Sequence, residues 1–468
     1  MNNRRILLAL LAATGLLGAC ASGPFGPSAP ADRGLAESPV IVFVHGNGDT
    51  AALWQTTLWR FESNGWPRSR LYAIEVPYPS ARADNSKAQP GTTSSDENMA
   101  YLRNEVGKVL RATSTDKVVL FGNSRGGNAI RDYIQNGGGS YTVSHAILGG
   151  TPNHGVWAIK GFREGNEFSG TGPFLTGLNA PKNANGDEVT GPVKWMTIRS
   201  DNNDKFAQPD GVWIGAKGTA TNVTFAGPEL KGATNVVIPR IDHRETSYSP
   251  QAFEQAFRFI TGNAPTTTAI TKEATIALSG NITGRGVASH DPKSGNDFNN
   301  LPLGAATLEI YATDAASGAR QGPAVYTKTV AGDGEWGPFT AQAGVQYEFV
   351  VAAPGYTTTH IYRSPFPRSS TIVHLRPERL SDADKAAQSV VTLFRPRGYF
   401  DLERDKTSLD GKTALPGVPP TGAGVASSKM LLTQAGVRPV AGEFNGERVT
   451  GQTWPAAENR SVVLEITQ

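Results

Sequence analysis

The feature that most constrains the fold is a serine between glycines, at an abrupt change of predicted secondary structure. Ser124 lies in Gly-Asn-Ser-Arg-Gly at 122–126, directly after the apolar run 118–121 and directly before a helical stretch at 128–134. A strand that turns sharply into a helix forces its corner residue into a strained conformation, and flanking glycines remove the side chains that would collide there. The sequence therefore predicts a serine whose hydroxyl is held out at the edge of a buried sheet.

An earlier segment is predicted to supply a backbone N–H donor close to this serine. The continuous apolar run 40–44 is typical of a buried parallel strand, and it ends in His-Gly-Asn-Gly at 45–48. Attack of a serine on an ester carbonyl builds negative charge on the carbonyl oxygen, so two backbone N–H groups must already point there. One donor follows the serine, which gives Arg125, and the other comes from the loop after the early strand, where Asn47 is the candidate. The two segments resemble the nucleophile elbow and oxyanion loop of the α/β-hydrolases.

One histidine has the position of a catalytic base. Of the seven histidines, His243 lies after the last predicted strand of the first half and before its last predicted helix, 250–261. The base comes last in the chain in α/β-hydrolases, so His243 is predicted to take the proton from the serine. His45 is explained as part of the oxyanion loop, and His154 is predicted to be structural or substrate-lining.

Two aspartates compete for the role of the acid that orients the histidine. Asp201 and Asp204 both follow the predicted strand 193–198. The turn at 204–209, Asp-Lys-Phe-Ala-Gln-Pro, resembles the Asp-x-x-x-Gln-Pro turn of yeast lipases of the lipase B type, which implies Asp204 as the acid and leaves Asp201 as the alternative. In archaeal long-chain lipases the acid follows the strand after the elbow helix, but the matching place here holds the glycine pair 149–150, which cannot serve.

The resemblance extends over much of the chain. Residues 122–127, 197–209 and 232–236 resemble class 2 bacterial lipases. Residues 361–366 and 376–380 are similar to parts of an archaeal long-chain lipase that carries a C-terminal β domain. The triad segments are the specific part of this likeness, whereas the β-domain likeness depends on two short stretches.

These likenesses imply a serine hydrolase that cleaves carboxylic esters through an acyl-enzyme, with no metal and no organic cofactor. Ser124 attacks, His243 is the base, Asp204 is the acid, and Asn47 and Arg125 form the oxyanion hole. The implied substrates are acylglycerols or other apolar acyl esters. A depolymerase of polymeric esters is one alternative, and a surface-binding lipoprotein with a vestigial hydrolase head is another.

The N-terminus predicts export and lipidation. Arg4 and Arg5 precede an apolar run at 6–17 that is too short to span a membrane comfortably, and small residues lead to Cys20, the only cysteine of the chain. This layout is typical of a bacterial lipoprotein signal, which implies a membrane-anchored protein in the periplasm, at the outer membrane or at the cell surface; a chance cysteine after an ordinary signal is the alternative. Removal of 1–19 takes away two arginines and lowers the formal charge from +3 to +1, so charge gives no support for nucleic-acid binding.

The remaining sequence predicts an α/β fold followed by an all-β region. Residues 20–37 are small and Pro-rich, as in a tether, and 38–263 alternate between strand-like and helix-like segments, which predicts a mainly parallel sheet with helices on both faces. Short alternating runs then predict a β-sandwich domain at 269–380 and a second β unit at 387–468. The long segment 155–192 is predicted to cap an acyl-binding cleft, with a packed surface excursion as the alternative. The sequence leaves the oligomeric state open.

Overall fold

The structure, a computed structural model, describes residues 38–207, 220–284 and 299–468. The predicted leader, the tether and Cys20 lie outside these residues, as does the end of the acid turn at 208–209. Among the described residues, none of the helices combines the length and the apolar character that crossing a membrane requires. The lipid anchor and the location that it implies stay predictions.

Six parallel strands form the sheet of the first half, in the spatial order β2-β1-β3-β4-β5-β6. The strands are β1 Val40–Val44, β2 Leu71–Ile74, β3 Val118–Asn123, β4 Val143–Gly149, β5 Lys194–Arg199 and β6 Thr234–Val237. The central strands β1 and β3 are buried at every position, which is why their sequences are continuous apolar runs. The parallel order brings the carboxyl ends of β1, β3 and β5 to one edge of the sheet.

Helices cover both faces of this sheet, because two separate apolar clusters lie on its two sides. The helices are α1 Gln55–Ser63, α2 Ser95–Thr113, α3 Arg125–Asn136, α4 Pro173–Leu178, α5 Glu245–Tyr248 and α6 Pro250–Thr261. Helix α6 has the predicted bounds, since Ser249 caps its N-terminus, Pro250 occupies its first turn and Gly262 ends it with φ +75°. The prediction of an α/β sheet with helices on both faces is confirmed.

The second half is built from mostly antiparallel strands, which confirms the predicted all-β region. The strands are β7 Ile276–Asn281, β8 Thr307–Thr313, β9 Tyr326–Thr329, β10 Glu335–Ala341, β11 Gln346–Ala352, β12 Thr358–Arg363, β13 Ser389–Phe394, β14 Thr407–Leu409, β15 Ser427–Leu432, β16 Pro439–Phe444, β17 Glu447–Gln452 and β18 Arg460–Glu465, with the short helix α7 Asp382–Lys385 between β12 and β13. The largest sheet has the order β15-β13-β18-β12-β11-β8-β9. In it β18 pairs in parallel with both β12 and β13, so the sheet contains strands from 269–380 and from 387–468. The boundary between those two predicted units stays a prediction.

Contacts between the two halves are extensive, and Ser38–Gln468 forms one compact unit. Trp59 of α1 is fully buried within the core of the β region, where its indole N–H donates to the carbonyl of Ser369 at 2.8 Å. Gln55, at the start of α1, donates to the hydroxyl of Ser370 at 3.0 Å. The β region is therefore packed directly on the α/β sheet.

Candidate active site

Ser124 occupies the sharp corner that the sequence predicts, between the end of β3 and the start of α3. Its φ of +52° and ψ of −121° are angles that residues with a side chain rarely adopt. A Cβ on Gly126 would lie 2.4 Å from the carbonyl oxygen of Val44, and one on Gly122 would lie 2.7 Å from the backbone nitrogen of Gly127. The corner is possible only because both flanking residues are glycines.

Replacement of Gly126 by alanine is expected to destabilise the fold and to lower the melting temperature by several degrees. The new methyl group would collide with the backbone of β1 at 2.4 Å, and backbone atoms cannot move aside cheaply. Gly177→Ala in α4 is the matched control, because a Cβ there has no neighbour within 4 Å. Thermal unfolding checks the pair, and equal melting temperatures for the two variants would contradict the close packing of the elbow on β1.

His243 and Asp204 form a buried pair. The Nδ1 atom of His243 lies 2.8 and 2.9 Å from the two carboxylate oxygens of Asp204, and neither side chain is appreciably exposed. The Asp204 carboxylate also accepts hydrogen bonds at 2.9 Å from the backbone N–H groups of Phe206 and Ala207. A carboxylate held in this way accepts the Nδ1 proton and leaves Nε2 of the imidazole free of it.

Asp201, the alternative acid, lies elsewhere. It is exposed, and its carboxylate accepts a hydrogen bond from the backbone N–H of Arg240 at 2.6 Å. The structure thus brings Asp204, and not Asp201, to the imidazole.

The glycine pair 149–150 at the end of β4 makes room for this arrangement. A Cβ on Gly150, whose φ is +56°, would lie 3.1 Å from a carboxylate oxygen of Asp204 and 2.8 Å from the carbonyl oxygen of His243. The Asp204 carboxylate therefore lies next to the space that a side chain at 150 would occupy. Asp204, in the loop after β5, thus places its carboxylate where an acidic side chain at the end of β4 would otherwise lie.

The loop after β1 lies directly against Ser124. Its backbone makes a turn in which the N–H of Asp49 donates to the carbonyl of Gly46 at 3.3 Å, and Asn47 is at its tip. A Cβ on Gly46 would lie 3.0 Å from the Cβ of Ser124. Arg125 is the first residue of α3, a position where an α-helix offers its N–H no intrahelical acceptor. Both predicted oxyanion donors are thus on backbone segments adjacent to Ser124.

Ser124 and His243 line one cavity of about 210 Å³. Val156, Trp157 and Phe168 of the predicted cap contribute an apolar part of its wall. An adjoining cavity of about 540 Å³ lies against the β region, and the two share the residues Asn47, Asp49, Phe206, Arg244 and Tyr399. Part of the segment 155–192 therefore lines the same cavity as Ser124, and its role as a cap over an acyl chain stays a prediction.

Comparison with known families agrees with this geometry. Residues 37–167 match the family model of the class 2 lipases, and residues 275–380 match that of the lipase C-terminal domain. Lipase family models therefore match both the part of the chain that contains Ser124 and a part of the β region. These matches support the predicted carboxylic ester hydrolase. No curated protein sequence matches this chain significantly.

Solved structures give distant likenesses. Lipase BlEst2 of Bacillus licheniformis is 18% identical in its mature form, over 48% of this chain and 92% of that one, with a TM-score of 0.34; its propeptide form is 13% identical over 89% and 92%, with a TM-score of 0.35. Lipase B of Aspergillus fumigatus is 15% identical over 51% of this chain, with a TM-score of 0.37. The match spans only 57% of that fungal lipase. Similarities this low do not bear on substrate.

Three residues at this site make contacts that the sequence does not indicate. Asn123 is buried beside Ser124, and its amide donates to the carbonyl of His243 at 3.1 Å and to the hydroxyl of Ser247 at 2.9 Å. Tyr399, from the β region, lines the Ser124 cavity. Arg125 has a second role, since its buried guanidinium makes a bidentate ion pair with Glu167 of the cap at 2.8 and 2.9 Å. The elbow motif contains Asn123 and Arg125, but the motif does not indicate these contacts.

His154 lies outside the Ser124 cavity. It lines a separate cavity of about 480 Å³, where its imidazole contacts the carbonyl of Gly227 at 2.7 Å and the carboxylate of Glu188 at 2.8 Å. The hydrogen bond to Glu188 raises the pKa of His154 above its ordinary value. Within the described ranges, no group of three or more His, Cys, Asp or Glu side chains is arranged to hold a metal ion.

Proposed function

We propose that this lipase cleaves esters through an acyl-enzyme on Ser124. The observation that supports this most strongly is the buried His243–Asp204 pair, with Nδ1 on the carboxylate, in a cavity that also contains Ser124. Nε2 of His243 takes the hydroxyl proton as the Ser124 oxygen attacks the ester carbonyl, and then gives that proton to the leaving alcohol.

The acyl-enzyme is then resolved by water. His243 takes a proton from the water as its oxygen attacks the acyl carbonyl, and the proton returns to the Ser124 oxygen as the carboxylic acid leaves. In both steps the N–H groups of Asn47 and Arg125 stabilise the oxyanion, and loss of one such donor costs about a hundred- to a thousandfold in rate. Asp204 holds the imidazole and stabilises its charged form.

The walls of the two adjoining cavities support apolar acyl esters as the substrates. Val156, Trp157 and Phe168 offer apolar surface within the same cavity as the serine, which suits an acyl chain. Burial of each methylene group there is worth about 0.8 kcal/mol. The adjoining cavity of about 540 Å³ leaves room for the alcohol part of the ester. We propose lipid esters such as acylglycerols as substrates and a membrane anchor at Cys20 that keeps the enzyme near them.

The test is hydrolysis of a chain-length series of p-nitrophenyl esters by protein that lacks residues 1–20, with Ser124→Ala as the blank. Turnover that disappears in the blank and favours long acyl chains is the expected result. A preference for short chains would favour an esterase, and activity on a polyester film but not on emulsified triglyceride would favour the polymer alternative. No turnover by the parent protein would favour the alternative of a surface-binding lipoprotein with a vestigial hydrolase head.

Trp157→Ala is expected to lower kcat/KM for a dodecanoyl ester by about tenfold or more, while kcat/KM for the acetyl ester stays within about threefold. The indole is buried and forms part of the wall that a long chain would touch, whereas an acetyl group ends near Ser124. Phe174→Ala is the matched control, because Phe174 also belongs to the cap but does not line this cavity. Equal losses for the two esters would contradict an acyl-binding role for the cap.

A further inference from the structure

We propose that Arg395, in the C-terminal β unit, is a positioning residue for His243, which makes residues 387–468 part of the catalytic apparatus. The proposal deepens the function given above and rests on His243 as the base. Arg395 is not among the residues that line the Ser124 cavity, so an effect on turnover has to pass through the residues that it binds, which include those around His243 and Tyr399, whose carbonyl also accepts from the guanidinium.

Arg395 binds that segment on both sides of the histidine. Its buried guanidinium donates to the carboxylate of Asp242 at 2.8 Å, to the carboxylate of Glu245 at 2.6 Å and to the hydroxyl of Tyr248 at 2.7 Å. Asp242 directly precedes His243, and Glu245 and Tyr248 are the first and last residues of α5, which follows it. One rigid, planar group from the β region therefore fixes the chain before and after the imidazole.

The same β segment fixes the loop at a second point. The backbone N–H of Tyr399 donates to the Asp242 oxygen that Arg395 also binds, at 2.8 Å. The Tyr399 ring lies 5.2 Å from the ring of Phe206, which in turn lies 4.9 Å from the imidazole of His243. The Phe206 ring therefore lies between the imidazole and the ring of Tyr399, which belongs to the C-terminal unit.

Asp242 joins these contacts to the helix. Its other carboxylate oxygen accepts hydrogen bonds at 2.9 Å from the N–H groups of Arg244 and Glu245, at the start of α5. Burial raises the pKa of the Asp242 carboxyl, but the charges of Arg395 and Arg404 outweigh this effect and hold the pKa below its ordinary value. The carboxylate therefore stays charged and needs its guanidinium partners.

Arg395→Met is expected to lower kcat by about a hundredfold, since a catalytic group that moves by 1 Å loses about that much rate. KM should stay within about threefold, because the substitution leaves Val156, Trp157 and Phe168 in place. The rate at which an alkyl p-nitrophenyl phosphonate inactivates the enzyme should fall with kcat, because attack by Ser124 on the phosphonate needs the same base.

Arg395→Lys covers the case in which the methionine variant does not fold. A lysine keeps the positive charge, but its single ammonium cannot reach all the acceptors that the guanidinium binds, so we expect a smaller loss of kcat, again at nearly constant KM. Arg320→Met is the matched control, because Arg320 pairs at 2.6 Å with the fully buried Glu348 and stacks on Tyr311, away from the histidine loop. It should lose stability but keep its turnover at a temperature where it is folded.

The outcomes separate the two proposals. Ser124→Ala tests the proposed function, because turnover that survives it would remove the serine mechanism itself. With that mechanism intact, a folded Arg395→Lys or Arg395→Met protein whose kcat equals that of Arg320→Met would overturn the positioning role. A rise in KM with unchanged kcat would overturn it as well, since that result would place Arg395 in substrate binding.

Discussion

Ser124→Ala is expected to lower kcat by about six orders of magnitude, the cost that loss of the nucleophile has in a serine hydrolase. The methyl group fits the strained corner between β3 and α3, so the melting temperature should change little. Hydrolysis of p-nitrophenyl esters, followed for hours at high enzyme concentration, measures the residual rate.

Ser144→Ala is the control, because Ser144 lies in β4 and its hydroxyl donates to the carbonyl of Val118, at the opposite end of the strands from the site. Its kcat should equal that of the parent. Serine hydrolases lose far more than about a hundredfold in rate when the nucleophilic serine is replaced. If Ser124→Ala kept more than about one hundredth of the activity, Ser124 would therefore not be the residue that forms the acyl-enzyme.

Asp204→Asn has the second largest expected effect, a fall in kcat of about four orders of magnitude. The asparagine oxygen can still accept the hydrogen bonds from Phe206 and Ala207, so the turn should keep its shape. Its NH₂ group, however, donates where the carboxylate accepted, and this favours the imidazole tautomer whose Nε2 carries the proton and cannot take another.

The matched control is Asp201→Asn, at a distance of three residues in the same loop. Its side-chain oxygen can keep the hydrogen bond from Arg240, and Asp201 does not contact the imidazole, so kcat should stay close to that of the parent. The reverse pattern, with normal turnover in Asp204→Asn and loss in Asp201→Asn, would move the acid to Asp201. Steady-state kinetics on one soluble ester decides between them.

The contacts of Arg125 connect the elbow to the cap. Its N–H is a proposed donor to the oxyanion, while its buried guanidinium pairs with Glu167 of the cap segment. Removal of one partner of a buried ion pair leaves an uncompensated charge, which costs about 3–5 kcal/mol. The residue that follows Ser124 therefore joins the cap segment to the elbow, in addition to its proposed role in the oxyanion hole.

The sequence alone was sufficient where the signal is local. The strand–turn–helix corner at Ser124 follows from flanking glycines and two periodicities, and the bounds of α6 follow from Ser249, Pro250 and Gly262. His243 could be selected because its place between the last strand and the last helix of the domain follows from chain order. The corner and the helix bounds depend on neighbours within a few residues, whose backbone preferences the sequence states directly, and the choice of His243 depends on the order of segments along the chain.

The tertiary structure decided whatever depends on contacts between distant segments. The choice of Asp204 over Asp201 depends on which carboxylate fits the space left by Gly150, and the sequence offers only a resemblance for it. The pairing of β12 with β18, and the contact of Arg395 with Asp242, join residues that are about a hundred or more positions apart. An arginine in a loop after a strand has the same local sequence whether it faces water or binds a buried carboxylate, because its partner is fixed only when the sheet and the β region pack together.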